Sequence, residues 1–272
     1  MTDGMAFSGW DRIDATDDTA AFQSYLDTVT GLDRMQALKR RSHRLLAPTS
    51  GDTLLDVGCG TGDDVLALAE LVGSEGIVIG VDNSVTMVRT ARNRAPESST
   101  DFRVADAEDL PFASDAIAGS RADRVLQHLD HPRRAFEELC RVTRPGGRVV
   151  VTDSDWGTLT VDTPTQPDLT ARILDPDWSC AQNGRIGRQL RRWATEAGLI
   201  DLDIDTATLV LTDFETADEV LGLTGRIETM QAAGVLSDVD GHQWLQRLRR
   251  ADTDGEFFSS LDIFTVAGTV PE

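Results

Sequence analysis

The chain is poor in lysine, tyrosine and cysteine. Of 272 residues, Lys39 is the one lysine, Tyr25 the one tyrosine, and Cys59, Cys140 and Cys180 the three cysteines. An odd, scattered cysteine set with no CxxC pair and no adjacent histidine argues against a disulfide framework and against a structural zinc, so no metal is expected. No apolar run approaches the roughly 20 residues needed to cross a bilayer. The opening MTDGMAFSGWDRIDATDD lacks both the basic and the apolar part of a secretion signal. These absences lead to the expectation of a reducing, cytoplasmic protein without stable membrane association. Internal repeats and low-complexity tracts are lacking too. What is present is 40% hydrophobic content over a length that supports one large core with an attached cap. Collagen, coiled coil and wholesale disorder fall away.

The charge is one-sided: 46 acidic against 26 basic residues leave −20. A field of that sign repels phosphate backbones and anionic lipid, which argues against nucleic acid as a partner. The acids are mostly Asp and the bases almost all Arg. An Asp-rich, Lys-poor surface suits high salt, and a GC-rich genome accounts for the missing lysine equally well.

Apolar residues between Ala20 and Ala47 recur at three- and four-residue steps, predicting helix with a break near Gly31. Thr53 to Val57 reads as a buried strand entering GCGTG. Asp63 to Val72 is a helix stopped by Gly73, and Ile77 to Val81 a second strand. Ser84 caps a helix running to Ala95 and ended by Pro96, and Phe102 to Ala105 is a third strand. Asp115 to Arg124 is the weakest strand, since Gly119, Ser120 and Arg121 interrupt it. Pro132 starts a helix through Val142, RPGG makes a turn, and Arg148 to Thr152 is a fifth strand. Strand and helix alternating at short spacing imply a parallel sheet covered on both faces. Further on, Gly184 to Ala197 reads as helix, while Leu199 to Leu211 and Phe257 to Val270 alternate as strands. The helical stretch between them, Ala217 to Ala251, is an insertion over one end of the sheet.

The strongest chemical signal is LLDVGCGTG, where Asp56 precedes a glycine turn formed by Gly58, Cys59 and Gly60. Glycine is needed where the main chain turns sharply and lies against a ligand with no Cβ between. A dinucleotide site would carry a third glycine, but Asp63 stands there, and an acid at a helix start repels a pyrophosphate. Asp82 ends the second strand, where a carboxylate accepts both ribose hydroxyls of a nucleoside. Asp106 follows the third strand, within reach of an adenine amino group. Asp56, Asp82 and Asp106 thus mark the strand ends where open parallel sheets bind ligands.

The segments LLDVGCGTG, IGVDNS, VADAEDLPF and VLQHLDHPRRAFEELCRVTRPGGRVVV resemble a class I S-adenosylmethionine-dependent methyltransferase, nearest to the ubiquinone/menaquinone-type small-molecule group. The likeness is strong from Gly51 to Thr152 and looser along the whole order of elements. It implies an α/β, Rossmann-like, doubly wound seven-stranded sheet whose last strand is antiparallel. Residues 1–50 would be an N-terminal helical cap, 51–212 the cofactor-binding core, 213–256 a helical lid and 257–272 the last strand. The resemblance further implies that Gly58, Cys59 and Gly60 pass under the methionine part of the cofactor. It puts Asp82 with Asn83 at the ribose, Asp106 and Ala107 at the adenine, and Arg124 with Val125 near the methionine amino group. An N-terminal segment folding over the cofactor would bring Tyr25 close. The implied reaction is methyl transfer from S-adenosylmethionine, leaving S-adenosylhomocysteine, to a small-molecule acceptor.

Such a reaction asks mainly for alignment and exclusion of water, with a base only if the attacking atom holds a proton. His128 is the best-placed titratable group for a base or a substrate contact, and Asp153, Asp155 and Trp156 are expected at the end of the fifth strand. His43 has no visible partner. Arg121 and Arg124 stand where the family often has small or apolar residues; one of them meeting a carboxylate competes with the plainer reading of two surface arginines. Trp178, Met230 and Trp244 line an acceptor pocket or simply fill core. The basic clusters Lys39 to Arg44 and Arg185 to Arg192 read as solvated helix faces, with an anionic acceptor as the rival account. Three other functions stay in view: a nucleotide-dependent oxidoreductase, a cofactor-binding regulatory or non-methylating member of the fold, and an RNA methyltransferase, which the charge disfavours.

Overall fold

The computed structural model describes residues 10–15, 19–95, 99–163 and 165–272; Pro96, expected to end a helix, lies outside them. After a 3-10 turn at Trp10–Ala15, the first helices are α1 (Thr19–Gly31) and α2 (Asp33–Leu46). Strand and helix then alternate through β1 (Thr53–Val57), α3 (Asp63–Val72), β2 (Ile77–Asp82), α4 (Val85–Arg94) and β3 (Thr100–Val104). There follow β4 (Ile117–Asp123), α5 (Pro132–Val142), β5 (Thr143–Val161), α6 (Pro167–Ile173), α7 (Leu190–Glu196) and β6 (Ile200–Leu211). Helices α8 (Phe214–Leu221), α9 (Leu223–Ala232) and α10 (Asp238–Thr253) precede β7 (Ser259–Thr269).

The seven strands form one sheet in the order β3-β2-β1-β4-β5-β7-β6, and β7 runs antiparallel to both of its neighbours. Chain order reverses beside β1, which pairs with β2 on one side and β4 on the other. A crevice opens outside the carboxyl ends of the strands at such a point. Successive residues of the buried strands serve opposite faces: Leu54 packs with Leu68 and Val88, whereas Leu55 packs with Phe136 and Leu190. Local chemistry sets the helix ends. Ser84 Oγ accepts from Met87 N at 3.1 Å to start α4, and Gly73, at φ +68°, stops α3.

The second half departs from expectation in three places. The RPGG segment is not a turn outside the sheet: β5 already pairs with Ile117 at Thr143, and a bulge containing Gly146 (φ +76°) absorbs the extra residues. Beyond Thr152, β5 continues to Val161 because β7 supplies a partner as far as Ser259. The run from Thr152 to Trp156 is buried on both faces, so Asp153 and Asp155 lie enclosed within the strand instead of at its end. The expected helix from Gly184 to Ala197 shortens to a 3-10 turn, Gly187–Gln189, followed by α7. The insertion is three helices, broken at Gly222 (φ +64°) and again before α10. They pack with the extended parts of β5, β6 and β7 into a separate apolar cluster around Trp244, Met230, Phe214 and Leu261. Trp244 is completely buried, with Nε1 donating to Thr170 Oγ1 at 3.0 Å. Both it and Met230 are core residues and not pocket lining.

Beneath the glycine turn lies a buried ion cluster. Arg121, 1% exposed in central strand β4, reaches Asp56 (2.9 Å), Asp64 (3.2 Å) and Asp123 (2.9 Å). From α2, Lys39 pairs with Asp64, and His43 Nε2 meets the other oxygen of that carboxylate at 2.8 Å. The surface reading of Arg121, the solvated reading of Lys39 and the partnerless reading of His43 are all corrected here. The interrupted look of β4 has the same cause: its arginine is the hub of a charge network. Burial opposes ionisation of each acid, but Arg121 and Lys39 hold Asp64 well below the usual carboxylate range. Asp123 is likewise lowered, by Lys39, Arg124 and Arg121. Asp56, sharing one arginine with two other acids, is instead pushed up to about 7 by its burial.

The signs of these shifts differ in consequence. Asp64 and Asp123 contribute stability above the unfolded value of about 3.9 and lose it as pH falls through their lower folded values. Asp56 favours the fold fully below about pH 3.9, and that contribution declines as pH rises toward about 7. In thermal melts from pH 4.5 to 8, Asp56→Asn should gain on the native protein as pH rises. A difference in Tm that does not change with pH would contradict the assignment.

Candidate active site

At the carboxyl ends of β1, β2 and β4, one cavity gathers Gly58, Gly60, Asp82, Asn83, Asp106 and Ala107. The glycine turn is tied down by main-chain bonds: Gly58 N and Cys59 N both donate to Val81 O, at 2.7 and 2.9 Å. Gly58 has φ +69°, and a Cβ there would lie 2.3 Å from Val125 Cγ2, so a side chain has neither the conformation nor the room. Asp82 is clamped from two sides, its Oδ2 accepting from Gly60 N and its Oδ1 from Ser84 N, both at 2.9 Å. Burial raises its pKa. Asp106 is exposed, and its Oδ1 accepts from Glu108 N at 2.8 Å, which fixes the loop after β3.

The middle of the cavity is formed by the chain leaving β4. Arg124 lines it at φ +58°, anchored by its N–H to Thr152 O (2.7 Å) and by Nε to Asp123 Oδ1 (3.1 Å). The 3-10 turn Leu126–His128 follows, held by Leu126 N donating to Asp153 Oδ2 at 3.0 Å. His128 faces the cavity, its ring 5.7 Å from that of Trp10. Burial, with a smaller push from the Arg124 charge, drops its pKa to about 3, so the imidazole is neutral at any ordinary pH.

The N-terminal segment covers this region. Tyr25 lines the cavity, its ring 5.3 Å from that of Trp10. Its phenol is pushed up to about 12 by burial. Asp14 latches the cover to the start of α4: it accepts from Ser84 Oγ (2.7 Å), Val85 N (2.6 Å) and Thr86 N (3.1 Å). An acid at a helix start is favourably placed there. Trp10, Asp14, Gln127 and Ser154 were not singled out from sequence; an acid facing a helix cap 70 residues away leaves no local signal.

The far end is apolar, walled by Val29, Met35, Leu209, Val220, Leu261 and Ile263. Trp156, Cys180 and Ser154 complete it, and Trp156 Nε1 donates to Gln127 Oε1 at 2.9 Å. Two predicted site residues stay outside the cavity. Asp56 turns into the ion cluster, and Cys59 is buried in the core beneath the turn. Trp178 also stays outside the lining, and Asp155 is engaged with Arg188.

The lining suits a nucleoside without phosphates. Asp63 and Asp64 open α3, so negative charge meets the helix start where a pyrophosphate would sit. Among the described lining residues the one cation, Arg124, is already paired with Asp123. The turn at Gly60 (φ +51°) lies directly against the clamped carboxylate of Asp82.

A methyltransferase-domain model matches residues 48–198. A 37.1 kDa uncharacterized protein in transposon Tn4556 of Streptomyces fradiae is 36% identical over 244 residues, 89% of this chain and 70% of that protein. The demethylmenaquinone methyltransferase of Clavibacter sepedonicus is 32% identical over 136 residues, so the chain spans about half that relative's length (54%) and half its own (50%). Among solved structures, phosphoethanolamine N-methyltransferase 2 of Haemonchus contortus, with S-adenosylhomocysteine bound, superposes at TM-score 0.60 and 19% identity. That match covers 97% of this chain and 60% of the other, a likeness of fold. The seven-stranded order, the glycine turn at the switch point and the matched domain together establish that the chain belongs to the S-adenosylmethionine-dependent methyltransferase family.

Proposed function

We propose that the protein transfers a methyl group from S-adenosylmethionine to a small, largely apolar acceptor. The observation that carries this reading is one cavity with two unlike ends: strand-end carboxylates and bare main chain at one, an aliphatic and aromatic chamber at the other. The quinone-type relative, whose name describes methylation of demethylmenaquinone, fits an acceptor with a ring and apolar bulk. No helix among the described residues is long and apolar enough to cross a membrane.

In this reading Asp82 accepts the ribose hydroxyls, with Asn83 beside it. Asp106 and Ala107 flank the adenine, and the turn at Gly58 and Gly60 leaves space for the amino-acid tail. Main chain near Arg124 and Val125 meets the amino group of that tail. Bound S-adenosylmethionine supplies a methyl group already activated by a sulfonium. The protein's own task is then alignment and dryness: Trp10 and Tyr25 close one side, and Trp156 and the aliphatic wall orient the acceptor. Neutral His128 is a hydrogen-bonding contact for the acceptor. An imidazole with a pKa of about 3 is too weak a base to store its proton.

Two outcomes follow. In calorimetric titrations Asp82→Ala should weaken S-adenosylmethionine binding about 10- to 150-fold, roughly 1.5–3 kcal/mol for contacts to one carboxylate. Because burial has raised the pKa of Asp82, native affinity should fall as acidification protonates it, and the variant should lack that dependence. An unchanged affinity in Asp82→Ala would remove the ribose assignment. Separately, kcat/KM should show no acid limb near pH 6.5 from His128, and His128→Asn should lower kcat less than about tenfold, against 10²–10⁴ for a lost general base. A limb near pH 6.5 that vanishes in His128→Asn would make the histidine a base after all.

A further inference from the structure

Arg226 lies on lid helix α9, 4% exposed despite its charge. Its Nη1 donates to the main-chain oxygens of Ile173 (3.0 Å) and Asp175 (2.9 Å). Nε and Nη2 are sealed from solvent and have no hydrogen-bond partner. Unpaired donors on a buried cation are a standing destabilisation, the kind of defect a fold retains at a ligand site. Burial lowers the pKa of Arg226 to about 10, which leaves it a cation at neutral pH.

The two unpaired nitrogens share one edge of the planar guanidinium. Nε–H and one Nη2–H point the same way, and that edge receives both oxygens of a carboxylate in a fork. Arg226 is not itself part of the cavity lining but lies behind the Trp156 wall of its apolar end. The Arg226 Cζ lies 5.9 Å from the ring centroid of Trp156, and its charge is felt at Cys180; both residues line the cavity. Two arginines of the exposed cluster Arg185 to Arg192 are otherwise engaged. Arg185 is paired with Asp177 at 2.7 Å and Arg188 with Asp155, both on exposed side chains away from the lining.

We propose that Arg226 is the specificity-determining residue of the acceptor site, its Nε–Nη2 edge receiving a carboxylate carried by an otherwise apolar, ring-bearing acceptor at the wall of Trp156 and Cys180. This rests on the methyltransferase reading and adds the acceptor's charge to it. The edge is sealed in the structure, so the proposal requires the wall between it and the cavity to open when the acceptor binds.

The test uses 2-naphthoate and its methyl ester as probes, titrated into the full chain saturated with S-adenosylhomocysteine. The native protein should bind the naphthoate at least tenfold more tightly than the ester. Arg226→Gln should bind the two equally, and Arg226→Lys, which keeps the charge but not the fork, should retain only part of the preference. Equal affinities in the native protein, no binding of the naphthoate, or a preference that survives Arg226→Gln would each overturn the proposal. Because Nη1 also ties α9 to the main chain near Ile173, titration of each variant with S-adenosylhomocysteine verifies folding. If the glutamine variant fails to fold, a full tenfold preference in Arg226→Lys overturns the proposal and a reduced one supports it. A native protein that does not bind S-adenosylhomocysteine defeats the methyltransferase reading itself, a result distinct from failure of the Arg226 assignment.

Discussion

The carboxylate of Asp82, directly and through Ser84, ties together three pieces of chain distant in sequence. One oxygen takes the N–H of Gly60 from the turn after β1, and the other takes the N–H of Ser84 at the start of α4. Ser84 in turn donates its hydroxyl to Asp14, which draws the N-terminal segment over the same spot. A charged acceptor with two main-chain donors has its orientation fixed before any ligand arrives, and preorganisation of this kind lowers the ordering cost of binding. The location follows from topology, because strand order reverses between β1 and its neighbours and leaves the crevice unfilled.

What lies beneath the crevice is less usual. A buried arginine, a lysine and three aspartates fill space where aliphatic packing would serve. Replacing such clusters with apolar residues is often neutral or favourable for stability, so their presence here is weak support for stability as such. Geometry gives a better account. The cluster links α2, α3, β1 and β4 below the glycine turn, and Asp123 extends it to Arg124 in the cavity wall. It therefore couples the floor of the site to the helices that cover it.

The sheet-edge half of the cavity was legible because its chemistry is local. Strand, glycine turn and helix start occupy one short run, Asp82 ends a strand rich in β-branched residues, and Asp106 follows the short strand β3. Asp56 misled, as an acid one residue before the strand end alternates onto the other face; an acid on β1 opposite an arginine on β4 is visible only once the strands pair. The apolar half was scarcely legible. β5 past Thr152 reads as polar, yet β7 pairs with it and buries it. Arg226 stands in an unremarkable helical stretch of α9, and nothing near it in the chain announces that its side chain is enclosed.

Two surfaces of different origin thus meet in one cavity: a polar edge dictated by the parallel sheet, and an apolar chamber assembled from the extended strands and the helical insertion. Methyl transfer is the chemistry we propose for this pairing, with a polar donor at one end and an apolar acceptor at the other. The most direct measurement is a crystal structure with S-adenosylhomocysteine bound. The ribose hydroxyls should lie on the Asp82 carboxylate and the adenine beside Asp106 and Ala107, with the thioether facing the chamber of Trp156. Density for the nucleoside elsewhere, or an edge that stays closed by the protein's own side chains, would contradict this account of the molecule.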